Sequence, residues 1–145
     1  AKVTIVLNNS KKEVIADVSG QFSVKMSLDK GINTIYSFAV DTSGNNSVET
    51  KKYEVTFDNE KPNLEITKPK DGESFSGKST QKLTIEGKTK AGASVTINDR
   101  FVNVANDGNF TYQFTLSDGE NSLNIKTTDK SGNQTEKTIK VNYSL

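Results

Sequence analysis

Apolar residues recur at every second position in several short stretches, among them Phe22, Val24, Met26 and Leu28, and again Phe110, Tyr112, Phe114 and Leu116. A period of two marks β-strands with one face on a core and the other in water. Gly-centred turns interrupt these runs about every ten residues, and no long stretch carries the 3.6-residue period of an amphipathic helix. The pattern predicts an all-β chain with almost no helix, its strands packed as face-to-face sheets. In the second half, seven strands are predicted near 64–67, 82–87, 94–98, 101–105, 110–116, 122–128 and 136–143.

The pattern is duplicated. GQFSVKMSLDKGINTIYSFAVDTSGNNS at 20–47 matches GNFTYQFTLSDGENSLNIKTTDKSGNQT at 108–135, and one constant offset aligns 20–55 with 108–143. AKVTI at 1–5 corresponds to ASVTI at 93–97, which leaves four extra positions within 6–15 of the first copy. DNEKPN at 58–63 punctuates the two copies, because Pro62 cannot donate a ladder hydrogen bond and biases Lys61 toward an extended backbone. The expected organisation is an incomplete module at 1–59 and a complete one at 60–145. The first has no counterpart of 64–92, so its opening strands are expected from a second polypeptide, a symmetry mate or a separated piece.

Composition narrows the chemistry. With no Cys and no His among 145 residues, disulfides, thiolate nucleophiles, imidazole bases and the commonest metal ligands are all excluded. Lys plus Arg number 19 against 18 Asp plus Glu with no basic cluster, so neither nucleic acid nor an anionic membrane is an expected partner. No apolar run reaches the roughly 20 residues a spanning helix needs, and membrane insertion is not expected. Carboxylates such as Asp17, Asp41 and Asp129 fall in turns with no base or nucleophile beside them, which argues against an enzyme.

The most specific local signal is D-x-x-G-N, at Asp41, Gly44 and Asn45 and again at Asp129, Gly132 and Asn133. It reads as turn chemistry: Asp accepts nearby backbone N–H groups, Gly supplies a positive φ and Asn caps the turn. Its functional rival is calcium, a hard cation that takes oxygen ligands, with Asp58 and Glu60 of the linker joining Asp129. Gly31-Ile32-Asn33 and Gly119-Glu120-Asn121 recur as strand-entry turns. The copies differ at Tyr36, Phe38 and Val40, where the second has Asn124, Lys126 and Thr128. That apolar stripe is either covered by the lengthened neighbouring hairpin or a contact surface for a glycan or protein ligand.

The stretch from Pro62 to Tyr143, with LEITKPKDGESF, KLTIEGKTKAGASVTIND and VNVANDGNFTYQFTLSDGENSLNIKTTDKSGNQTEKTIKVNY, closely resembles bacterial immunoglobulin-like repeats, including the domain type described from glucodextranase. The resemblance covers all of the second copy and the later two-thirds of a unit in the first. It implies two tandem immunoglobulin-like Greek-key β-sandwiches, the first lacking its N-terminal strands. It further implies an extracellular or cell-surface location, spacer or adhesion duty beside other domains of a parent protein, and calcium at some module junctions.

Overall fold

The computed structural model describes residues 1–145. It divides into two compact units, Ala1–Asn59 and Glu60–Leu145. The first holds strands β1 (Lys2–Leu7), β2 (Ser10–Ile15), β3 (Gly31–Val40) and β4 (Tyr53–Phe57). The second holds β5 (Leu64–Lys68), β6 (Ser74–Ser76), β7 (Lys82–Thr89), β8 (Ser94–Ile97), β9 (Arg100–Val102), β10 (Asn109–Thr115), β11 (Gly119–Thr128) and β12 (Gln134–Ser144). The only helical element is a 3₁₀ turn at Lys78–Thr80, so the all-β expectation is met.

In the second unit the strands form one sheet of order β10-β7-β5 and another of order β6-β12-β11-β8-β9. Every pairing is antiparallel except β6 with β12, which is parallel. The chain changes sheets between β5 and β6. Leu83, Ile85 and Phe110 of the smaller sheet pack with Val95, Ile97, Leu123, Ile125, Ile139, Val141 and Tyr143 of the larger one into a single buried cluster. The alternating residues therefore become the shared interior of a sandwich. Thr89 and Thr127 meet between the sheets with their hydroxyl oxygens 2.7 Å apart. Because Thr89 Oγ1 donates to the Asn63 carbonyl, Thr127 is the donor of that pair. Two details differ from the sequence reading. β6 was not anticipated, since three residues are too few to show a period, and β9 ends at Val102 rather than Ala105.

The first unit is one four-stranded sheet of order β2-β1-β3-β4, equivalent to β9-β8-β11-β12 of the second. The β1–β2 hairpin has arms of 6 residues each where β8 and β9 have 4 and 3, which absorbs the extra positions. The strand expected at 22–28 does not form. The segment keeps alternating exposure, but it carries no strand assignment and its backbone makes no backbone–backbone hydrogen bond. The physical reason lies in the second unit, where β10 is held by β7 through the pairs Phe110↔Gly87, Tyr112↔Ile85 and Phe114↔Leu83. No residue of the first unit plays the part of β7, and a ladder needs both sides.

The constant offset also fails beyond Asn45. Asn33 faces Val55 while Asn121 faces Val141, so Val55 is the structural equivalent of Val141, and the first unit carries two additional residues before β4. They are taken up at 46–52, where Ser47 Oγ and Thr50 Oγ1 accept from the Ala39 and Ser37 amides in place of a regular ladder. With that register, the inner-face residues of β4 compare directly with those of β12. Tyr53, Val55 and Phe57 are 57%, 39% and 39% exposed, whereas Ile139, Val141 and Tyr143 are 8%, 0% and 3% exposed. Phe22 and Leu28, at 46% and 37%, likewise contrast with Phe110 and Leu116 at 4% and 1%. The first unit thus presents an apolar sheet face with no second sheet laid on it.

Candidate functional site

The recurrent Asp–Gly–Asn loops use their polar groups internally. Asp41 Oδ1 accepts the Ser43 and Asn45 amides at 2.8 and 2.9 Å, and Asn45 Nδ2 donates to Asp41 Oδ2 at 2.9 Å. Asp129 repeats the scheme with the Ser131 and Asn133 amides, both at 2.9 Å, and with Asn133 Nδ2. Gly44 and Gly132 hold φ of 88° and 85°, a region that disfavours any side chain. Asp17, which the sequence also places in a turn, has the same wiring: its Oδ1 accepts from the Ser19 and Gln21 amides, and Gly20 has φ 79°. Its signal was D-x-S-G, with Gln in place of the closing Asn.

Electrostatics follow from those bonds. The side-chain and backbone N–H groups of Asn45 hold the Asp41 carboxyl below its ordinary value. Burial acts upward on Asp129, but the Asn133 side-chain and backbone donors, with Ser131 and Lys90, outweigh it and hold this carboxyl low as well. Lys90 Nζ stands 3.7 Å from Asp129 Oδ2. Asp58 belongs to the first unit, which ends at Asn59, and Glu60 opens the second. No group of three or more His, Cys, Asp or Glu side chains that could hold a metal ion is found.

Tyr36, Phe38 and Val40 lie along β3 on the outer face and are half-buried. Their β1 neighbours Val6 and Thr4 are fully buried, and Lys52 Nζ sits 4.9 Å from the Tyr36 ring centroid. The longer hairpin pairs with β1 residue by residue, in the plane of the sheet. On the inner face, Phe22, Val24, Ile5, Ile35 and Tyr53 line an open groove of about 440 Å³. Another groove, of about 430 Å³ in the second unit, is bordered by Ile97, Arg100, Tyr112 and Phe114 and brings no acid and base together.

Asparagine has a further role that spacing alone did not disclose. Asn33 is fully buried: its Nδ2 donates to the carbonyls of Asp29, Gly31 and Val55, and its Oδ1 accepts from the Asp29 amide and Asn8 Nδ2. Asn121 does the same for Ser117 and Gly119. Asn8 and Asn98 occupy the left-handed region at φ 53° and 46°, and the Oδ1 of each accepts the amide of the neighbouring strand, from Thr34 and Asn124. The N-N and N-D dipeptides between apolar runs were the available signal. No buried side-chain polar atom lacks a hydrogen-bond partner. No helix is long and apolar enough to cross a membrane.

This architecture has relatives. Bacillopeptidase F of Bacillus subtilis (strain 168) is 32% identical over 148 residues, which cover 97% of this chain and 10% of that protein. The chain therefore spans about a tenth of the curated relative it matches. Among solved structures, the fibronectin(III)-like modules of Clostridium thermocellum CbhA align with a TM-score of 0.51 at 14% identity, covering 99% of this chain and 77% of that one. Their likeness concerns the fold. Residues 62–144, nearly the whole second unit, match the family described as glucodextranase, domain B. That match extends over more than half of the sequence, and the chain belongs to this family of immunoglobulin-like β-sandwich modules.

Proposed function

We propose that the chain is a non-catalytic immunoglobulin-like spacer or adhesion module of a larger secreted or cell-surface bacterial protein, where it positions a catalytic or binding domain of its parent. The observation that carries this reading is that the repeated carboxylates and amides serve the backbone of their own loops. A hydrolase would need an acid, a base or a nucleophile held toward a cleft. The polar chemistry here instead supports shape, and membership of a family of domains found within longer proteins agrees with it. The test is to incubate the purified chain with protein and glucan substrates and to screen it on a glycan array. Neither turnover nor glycan retention is expected, and hydrolysis that persists through purification would refute the reading.

A second reading, recognition of glycan or protein through the first unit, draws on the half-buried Tyr36, Phe38 and Val40 and on the Lys52–Tyr36 stack. Array binding abolished by Tyr36→Ala would favour it over the spacer.

A further inference from the structure

Four strands border the sheets of the second unit, β5 and β10 in one sheet and β6 and β9 in the other. Three of them are blunted. β6 and β9 have three residues each, and β5 carries Glu65 and Lys68 with a register shift between Ile66 and Lys68. β10 has none of these defences, for its seven residues, NFTYQFT at 109–115, include no charge, no Pro and no Gly. A long uncharged edge is a ready template for another strand. We propose that β10 pairs antiparallel with β10 of a second copy of this chain, about a two-fold axis at Gln113.

Hydrogen-bond parity fixes which backbone groups are available. Leu116 N donates to the Gln81 carbonyl and Thr89 N to the Gly108 carbonyl, so the even-numbered residues of β10 turn their backbone groups toward β7. Thr111, Gln113 and Thr115 therefore aim theirs at the open side. β9 leaves that side free. The chain bridges β10 at Val104↔Phe110, whereas β9 pairs with β8, and a groove of about 430 Å³ opens between Arg100 and Phe114.

Rotation about Gln113 makes the strand complementary to itself. Thr111 faces the second copy's Thr115, Tyr112 its Phe114, and Gln113 its own equivalent, which gives hydroxyl, aromatic and amide pairs of the kinds that stabilise facing strands. The half-buried rings of Tyr112 and Phe114 gain cover from one another. Charge agrees with this register. On the outer face Glu86 faces Thr111 and Lys82 faces Thr115, so pairing sets Glu86, Thr111, Thr115 and Lys82 in one row, with an acid from one copy and an ammonium from the other at its ends. The same row recurs with the copies exchanged, and β10 itself brings no like charges together. At the repeat position of Gln113 the first unit has Lys25, where the same rotation would set ammonium against ammonium.

The test is sedimentation equilibrium of the full chain from about 10 μM to 1 mM, joined to residue-resolved amide exchange. A monomer–dimer equilibrium is expected within that range, because one strand edge buries less than a standard interface. The Thr111, Gln113 and Thr115 amides should exchange about tenfold or more slowly in the dimer than in dilute monomer. Gln113→Lys and Gln113→Glu, both at an exposed position, should each weaken association about fivefold or more and leave the melting temperature of the dilute second unit unchanged. Their equimolar mixture should restore association by placing opposite charges across the axis. A chain that stays monomeric throughout would overturn the proposal and leave the edge to a strand from another protein. Association that is indifferent to both substitutions, that is not recovered in the mixture, or that leaves the 111, 113 and 115 amides unprotected would overturn it too.

Discussion

Asn33 and Asn121 each close the turn at the start of a ten-residue strand, β3 or β11, by binding backbone four residues upstream, and no other side chain has both the donor and the acceptor to do so at that length. Asn33→Ala is expected to cost on the order of 2–3 kcal/mol, because buried N–H and C=O groups lose their partners. Chemical denaturation of the first unit measures it, and a loss below about 0.5 kcal/mol would show that water replaces the amide. The acid limb of stability belongs to the same scale. Asp41, Asp107 and Asp129 are all held below the ordinary value of 3.8. A depressed folded-state pKa contributes stability that is whole above the unfolded value and is lost as pH falls through the folded one. The melting temperature of the second unit should therefore drop below about pH 4, and Asp129→Asn, which cannot titrate, should flatten that slope. An identical slope in the variant would assign the acid loss to other groups. These loops were readable in the sequence because a turn's hydrogen bonds join residues two to four apart. The Asn8 and Asn98 clamps were not, since their partners Thr34 and Asn124 are 26 residues away.

Strands were legible from alternation, but alternation specifies a face and not a neighbour. The run from Phe22 to Leu28 has the same period as 110–116, yet only the latter is part of a sheet, because pairing depends on residues far off in the chain. The two-residue shift ahead of β4 escaped for a related reason: the sequence match survives across it, and only the facing pairs Asn33↔Val55 and Asn121↔Val141 reveal it. β7 illustrates how tightly an element depends on both neighbours. Gly87 lies under the Phe110 ring of β10, and a Cβ there would meet both that ring and the Glu65 carbonyl of β5. Gly87→Ala should destabilise the second unit by about 1–3 kcal/mol through overpacking. Adding Phe110→Leu, which removes the ring, should recover part of the loss of Gly87→Ala in a double-mutant cycle. Strict additivity of the two changes would place the strain at Glu65 instead.

At the scale of the molecule, one unit has a closed two-sheet core and the other an open single sheet, so their stabilities should separate. Scanning calorimetry is expected to show two transitions, with hydrogen exchange assigning the lower to Ala1–Asn59 and the higher to Glu60–Leu145. A single cooperative transition would mean that the exposed face of β4 is satisfied in solution. The parallel pairing of β6 with β12 has a consequence for tension. Asn142 N donates to the Glu73 carbonyl and Gly77 N to the Ser144 carbonyl, so stretching this unit between its ends drags the two strands lengthwise past each other. Bonds loaded side by side must rupture together, whereas bonds in a hairpin peeled from one end yield in succession. Asn142→Pro removes one of those donors and should lower the unfolding force in single-molecule pulling experiments. A module so built is expected to resist a steady tug better than one whose end strands peel apart bond by bond.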